Sequence, residues 1–202
     1  MIKDDENRAF LNMKRDAIEM LAGKNPAGIA QDAGVTYDAG SNCFRLSSLG
    51  KMYTLTYPDY ALLEETDQWH YLTMLHYMNL ADGMELSGEL CALGDMPDGL
   101  VRGANFDRTA SAAIEKFAAG HSETEIGNIL REMGGEIISG KADLSVRVPY
   151  LPRVPLTINI WFADEEFPPS ARLLADRSIG HYLTIEDAVT VGDYLLRRLT
   201  EA

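Results

Sequence analysis

Apolar side chains recur every three or four residues in several segments of the chain, a spacing that places them on one face of a helix. The helices predicted in this way cover residues 7–21, 67–81, 106–117, 126–133 and 184–199, and a short, weakly patterned helix covers residues 29–33. The segment 67–81 is apolar on most of its sides. We therefore expect this helix to lie at the centre of the protein.

Strands are predicted where apolar and polar residues alternate with a period of two. Residues 43–46 and 52–57 flank a glycine-containing turn and predict a hairpin, and residues 144–148 and 156–162 continue the same alternation. Proline cannot donate to a strand ladder, so the prolines between the later pair belong at strand ends or at an edge. We expect one α+β domain over residues 1–202, with an antiparallel or mixed sheet packed against several helices.

Charge and cysteine content narrow the classes of partner. The 31 acidic residues outnumber the 18 lysines and arginines, giving a formal net charge of −13. Such a charge disfavours nucleic acid and anionic membranes as partners. The polar start of the chain and the lack of a long apolar run predict a cytoplasmic protein. Cys43 and Cys91 are far apart in sequence, so we expect two free thiols and no cysteine-based metal site within one chain.

The most informative segment for chemistry runs from Trp161 to Ser170, where a predicted strand ends in three consecutive carboxylates. These acidic residues could bind a hard cation or act as acid and base, since adjacent carboxylates shift one another's proton affinity. A structural interpretation is that they precede a helix that begins at Pro168 or Pro169, where negative charge is favourable. Trp161 itself is expected to be largely buried.

The histidines give one further candidate. His70 and His76 are six residues apart on the predicted central helix, so they face directions about 120° apart and do not suit a shared metal site. His181, followed by Tyr182, is the histidine whose neighbourhood suggests a site. The chain lacks a Gly-x-Ser-x-Gly elbow, a phosphate loop and a dinucleotide fingerprint, so no motif supports a hydrolase, a nucleotide triphosphatase or a dinucleotide-binding protein, and the cofactor stays unknown.

Long segments of the second half resemble a known family: NFDRTASAAIEKF, YLPRVPLTINIWFADEEFPPSARLLADRSIGHYL and TIEDAVTVGDYLLRRL. This is an uncharacterised family of bacterial and archaeal proteins, chiefly from anaerobes, classified as a domain of unknown function. The resemblance covers roughly residues 10–199. Some members carry added iron–sulfur cysteine segments and resemble accessory proteins of anaerobic one-carbon and corrinoid metabolism. This chain has no such segment, so the resemblance implies a fold and no established activity.

Three classes of function stay open. The first is a small-molecule or cofactor-binding accessory protein, with a pocket floored by Trp161, Phe162 and the aromatic central helix. The second is a divalent-cation-dependent enzyme that uses the acidic turn. The third is a self-associating structural or interaction protein, which would make the chain a homo-oligomer. The residues proposed to bind a ligand, on this basis, are Trp161, Asp164, Glu165, Glu166, His181 and Tyr182.

Overall fold

A computed structural model describes the backbone of residues 2–201 and the side chains of residues 8–201. The helices are α1 (Ile2–Leu21), α2 (Pro26–Ala33), α3 (Gln68–Leu80), α4 (Gly99–Ala118), α5 (Glu123–Glu132) and α6 (Ile185–Thr200). The strands are β1 (Thr36–Asp38), β2 (Cys43–Ser48), β3 (Lys51–Thr56), β4 (Leu90–Cys91), β5 (Glu136–Ile137), β6 (Leu144–Leu151), β7 (Val154–Trp161) and β8 (Ser170–Asp176). Two short 3₁₀ helices cover Leu93–Asp95 and Arg177–His181.

The strands form two antiparallel sheets. The smaller sheet has the order β1-β2-β3 and contains the predicted hairpin, and the larger has the order β4-β8-β7-β6-β5. Each neighbouring pair in both sheets runs antiparallel. The predicted α+β class is therefore confirmed, and the sheets are antiparallel rather than mixed.

Local capping explains where several helices begin. The Asp67 side chain accepts hydrogen bonds from the first backbone N–H groups of α3, and Ser122 with Glu125 forms the predicted capping box of α5. Such caps satisfy N–H groups that have no partner inside the helix. Helix α4 begins seven residues before the predicted start. Its first two turns lie close to Leu93, and this close approach requires the glycines Gly99 and Gly103. A Cβ atom at these glycines would lie 2.2 and 2.3 Å from the Leu93 carbonyl oxygen.

The large sheet has an apolar inner face and a polar outer face. On the inner face, Val146 of β6, Ile158 of β7 and Leu173 of β8 are buried and belong to the main core cluster. The intervening residues lie on the opposite, outer face because side chains alternate along a strand. There Asn159 of β7 is the register partner of Arg172 of β8, whose side chain is exposed. The outer face therefore offers polar groups to solvent.

The segment after the acidic turn is a strand and not the predicted proline-started helix. Pro168 and Pro169 lie in the loop, and β8 begins at Ser170. Its residues pair with β7 over six positions, from Trp161↔Ser170 to Leu156↔Ala175. This non-local pairing outweighs the local helix-start signal of the prolines. The acidic turn consequently has no helix N-terminus beside it.

One buried cluster takes side chains from both sheets and from the helices. The N–H group of Leu49 donates to the Pro149 carbonyl oxygen at 3.2 Å, and the Ser48 hydroxyl donates to the Tyr150 carbonyl oxygen. These bonds tie the small sheet to β6. Helix α3 is buried along most of its length, as its pattern predicts.

Both cysteines are free thiols in the structure, as predicted, and they lie in different sheets. Among the described helices, none combines the length and apolar character that a membrane crossing requires.

Candidate aromatic groove

A groove of about 730 Å³ opens at the end of the large sheet where β7 passes into β8. The loop 162–169 forms one wall, and the outer-face ends of the two strands form the floor. We call it the aromatic groove. It is lined by Asp143, Trp161, Phe162, Asp164, Phe167, Pro168, Pro169, Ser170 and Arg172.

Trp161 is half-buried, in contrast to the predicted buried position. The core-facing position at this end of β7 belongs to Ile160, which is 1% exposed, and alternation therefore places the indole on the outer face. Its Nε1–H donates to the Lys141 carbonyl oxygen at 3.2 Å. This bond fixes the ring at the floor of the groove while part of its surface faces solvent.

Two carboxylates hold the loop in place. Asp164 Oδ1 accepts hydrogen bonds from the N–H groups of Phe167 at 2.7 Å and Glu166 at 2.8 Å, and these bonds hold the pKa of Asp164 below its usual value. Asp143 Oδ2 accepts from the N–H group of Phe162 at 2.8 Å. Asp164 therefore orders the loop through one oxygen and lines the groove.

Arg172 supplies positive charge to the groove. Its side chain is exposed on the outer face of β8, and it forms no ion pair with the side chains of residues 8–201. Phe167 lies in the wall formed by the loop, with 66% of its surface exposed. A guanidinium group without a partner and exposed aromatic rings therefore share one concave surface.

A family model described as "Domain of unknown function (DUF3786)" matches residues 25–198. The chain belongs to this family. The groove residues all lie within the matched part of the DUF3786 chain. No curated protein and no solved structure matches the chain. The family description names no reaction, so function must be inferred from the residues themselves.

The three acidic residues of the turn in this DUF3786 domain differ in their positions relative to the groove. Asp164 lines the groove, whereas Glu165 and Glu166 are exposed and contribute no lining surface. Among the residues that the structure describes, no three His, Cys, Asp or Glu side chains are arranged to hold a metal ion. The three carboxylates therefore do not converge on one point.

His181 and Tyr182 lie at the other end of β8. The seven-residue strand separates them from the acidic turn by roughly 20 Å. His181 Nδ1 is 2.7 Å from Asp82 Oδ2, and Tyr182 is buried with its hydroxyl donating to the Met84 carbonyl oxygen. Burial raises the pKa of Tyr182. Of the six predicted site residues, only Trp161 and Asp164 line the aromatic groove.

The two histidines of α3 contact different partners. His70 Nδ1 is 2.7 Å from the Tyr150 hydroxyl, and burial lowers the pKa of His70 to about 4. His76 Nδ1 is 2.6 Å from Asp187 Oδ1. Helix α3 contributes nothing to the lining of the aromatic groove, so the predicted aromatic floor from the central helix is wrong for this groove.

Sequence reasoning missed Arg172 and Asp143 as groove residues. Arg172 is not predicted as a site residue because the two prolines favour a helix start in this segment. The signal was present at the start of the segment, where Ala171 and Leu173 alternate with the polar residues Ser170 and Arg172, as in a strand with one buried face. Asp143 precedes β6 and has no local feature that predicts its approach to Phe162.

Proposed function

We propose that this DUF3786 protein is a ligand-binding accessory protein whose aromatic groove takes a small planar molecule with an anionic group. The observation that carries the proposal is that Arg172, which has no ion-pair partner among the described side chains, lines the same groove as the indole of Trp161.

The two kinds of side chain recognise different parts of such a ligand. Aromatic rings pack against a flat apolar surface, and a guanidinium group can donate two parallel hydrogen bonds to a carboxylate or a phosphate. The groove volume of about 730 Å³ lies within the range of small-molecule sites. A flat ligand that carries a carboxylate or a phosphate fits a groove that is open on one side.

The free carboxylate oxygens of Asp143 and Asp164 favour a ligand that also has a hydrogen-bond donor. Asp143 uses one oxygen for one main-chain N–H group of the loop, and Asp164 uses one oxygen for two such groups. In each carboxylate the other oxygen can accept from a ligand. A hydroxyl or amino donor on the ligand would therefore suit this end of the groove. The net charge of −13 opposes anions at long range, so anion binding here relies on Arg172.

The first prediction compares matched probes that differ in charge. We expect AMP to bind more tightly than adenosine, and benzoate more tightly than benzamide, in titrations that follow Trp161 fluorescence in a Trp69→Phe background. Replacing Arg172 by Gln should weaken binding of the anionic member of each pair about tenfold or more, the usual effect of losing a charge-assisted hydrogen bond.

The matched control is Arg147→Gln, which removes an exposed arginine of β6 that lies outside the groove. It should leave the affinities unchanged. For the two Trp161 variants, which lack this fluorophore, isothermal titration calorimetry replaces fluorescence. Trp161→Phe keeps an aromatic surface and should weaken binding less than Trp161→Ala. Equal affinities for charged and neutral probes, or equal losses in the two arginine variants, would reject the proposal.

A further inference from the structure

A second groove, of about 370 Å³, runs along the edge of β8 beside α4. We call it the edge groove. Strand β4 pairs only with Ala175 and Asp176, and the chain then turns into the 3₁₀ helix that begins at Leu93. The edge of β8 before Ala175 therefore has no neighbouring strand. The groove is lined by Ala92, Asp107, Arg108, Ser111, Ala112, Glu115, Arg172, Leu173 and Leu174.

The hydrogen bonds around β8 show which main-chain groups face this edge. The N–H group of Ala171 donates to Glu115 Oε1 at 3.3 Å, and that of Arg177 donates to the Glu89 carbonyl oxygen at 2.8 Å. In an antiparallel sheet, alternate residues direct both main-chain groups to the same side. The N–H and C=O groups of Leu173 therefore face away from β7 as well.

The alternation of β8 directs the main-chain groups of Leu173 towards the edge groove. Its side chain lies on the inner face and the residue is only 5% exposed, yet it lines the groove. The groove thus presents one donor and one acceptor from the same residue. A neighbouring strand residue would satisfy both with its own C=O and N–H groups.

The available edge is one hydrogen-bonded residue long. On one side Cys91 of β4 already pairs with Ala175, and on the other Glu115 occupies the N–H group of Ala171. A long strand passing along β8 would have to displace one of them. The space therefore suits the end of an extended chain.

Two carboxylates and two guanidinium groups line the edge groove, and they differ in how their hydrogen-bonding atoms are engaged. Asp107 accepts hydrogen bonds from the N–H groups of Leu93 and Gly94, and Glu115 accepts from Ala171, so each carboxylate is already engaged. Arg108 bonds the amide oxygen of Asn105. Neither Arg108 nor Arg172 forms an ion pair with the described side chains.

We propose that the edge groove binds the C-terminal residue of an extended peptide. The N–H group of that residue donates to the Leu173 carbonyl oxygen, and its carboxylate accepts from the Leu173 N–H group. The guanidinium groups of Arg108 and Arg172, which have no carboxylate partner among the described side chains, donate charge-assisted hydrogen bonds to that carboxylate. This site goes beyond the proposed ligand of the aromatic groove, with which it shares Arg172.

The test uses acetyl-Ala-Ala with a free carboxylate, and nuclear magnetic resonance of the ¹⁵N-labelled full chain. In the free protein the Leu173 amide should exchange with solvent faster than those of Arg172 and Leu174, which face β7. Addition of the peptide should shift the Leu173 amide resonance and slow its exchange.

Two altered peptides remove one proposed contact each. The C-terminal amide removes the carboxylate, and methylation of the last peptide nitrogen removes the donor to Leu173. Each should bind about fivefold more weakly or worse, as expected when one hydrogen bond is lost. Equal binding of the three peptides, absence of binding, or strong protection of the Leu173 amide in the free protein would overturn the proposal.

Protein variants separate the two grooves. Ala112→Leu fills the edge groove from an exposed position on α4 and should abolish peptide binding, whereas Ala9→Leu makes the same change at an exposed position of α1 and should not. Trp161→Ala should bind the peptide as the wild type does. A loss in Trp161→Ala as large as in Ala112→Leu would assign the peptide to the aromatic groove and overturn the proposal.

Discussion

Among single residues, Asp176 at the end of β8 joins two segments of the chain that are 89 residues apart. Its carboxylate accepts five hydrogen bonds, from the N–H and hydroxyl groups of Ser87 and Ser178 and from the N–H group of Gly88. Burial opposes its ionisation, but the hydrogen bonds from Ser178 and Ser87 outweigh burial and lower the pKa of Asp176 to about 2. The charged form therefore stabilises the fold.

Replacing Asp176 by Asn should lower the free energy of unfolding at pH 7 by about 2–3 kcal/mol, because an NH₂ group would face N–H donors. The folded pKa lies below the ordinary value of 3.8, so this stabilisation is present above about pH 4 and is lost as the pH falls towards 2. Urea unfolding at pH 7 and pH 3 should show a smaller difference between the two proteins at pH 3. Asp59→Asn, at an exposed position, is the control and should change little.

Among the elements, β7 links the core to the aromatic groove, because one of its faces packs in the core and the other lines the groove. Ile158 and Ile160 face the core, while Asn159 and Trp161 face outwards. The inner residues stabilise the domain by burial, and the outer ones are available to a ligand. A change on each face should therefore separate stability from binding.

Truncation of Ile158 to Ala should lower the free energy of unfolding by about 3 kcal/mol, as for other buried aliphatic side chains. Trp161→Ala should lower it by no more than about 1–2 kcal/mol, because the indole is only half-buried and lies on the outer face of the sheet. Chemical denaturation of both variants measures the two losses. A greater loss at Trp161 than at Ile158 would mean that the ring belongs to the core.

The whole molecule is expected to unfold as one unit, since a single buried cluster takes side chains from both sheets. Differential scanning calorimetry of monomeric, ligand-free protein should give one transition, with equal calorimetric and van't Hoff enthalpies. Removing the Ser48 hydroxyl, which bonds the Tyr150 carbonyl oxygen, should lower the melting temperature of that single transition. Two resolved transitions would show that the small sheet and the large sheet unfold separately.

Local sequence determined much of the architecture. Helical spacing predicted the central helix α3 and the final helix α6, and alternation predicted β2, β3, β6 and β7, because burial of one face imposes its period on the sequence. The sequence also predicted the capping box of Ser122 and Glu125, because all the atoms of this box lie within one helical turn. Composition gave the net charge, and the wide separation of the two cysteines in sequence predicted that both are free thiols.

Tertiary structure alone decided the site. Whether the segment after Pro169 is a helix or a strand depends on its pairing with β7, which is 9 to 19 residues away along the chain. That pairing brings Arg172 beside Trp161 and carries His181 to the far end of the sheet. It also leaves Leu173 at an open edge, because β4 is only two residues long. Such relations depend on register between distant segments, and no local pattern of residues encodes them.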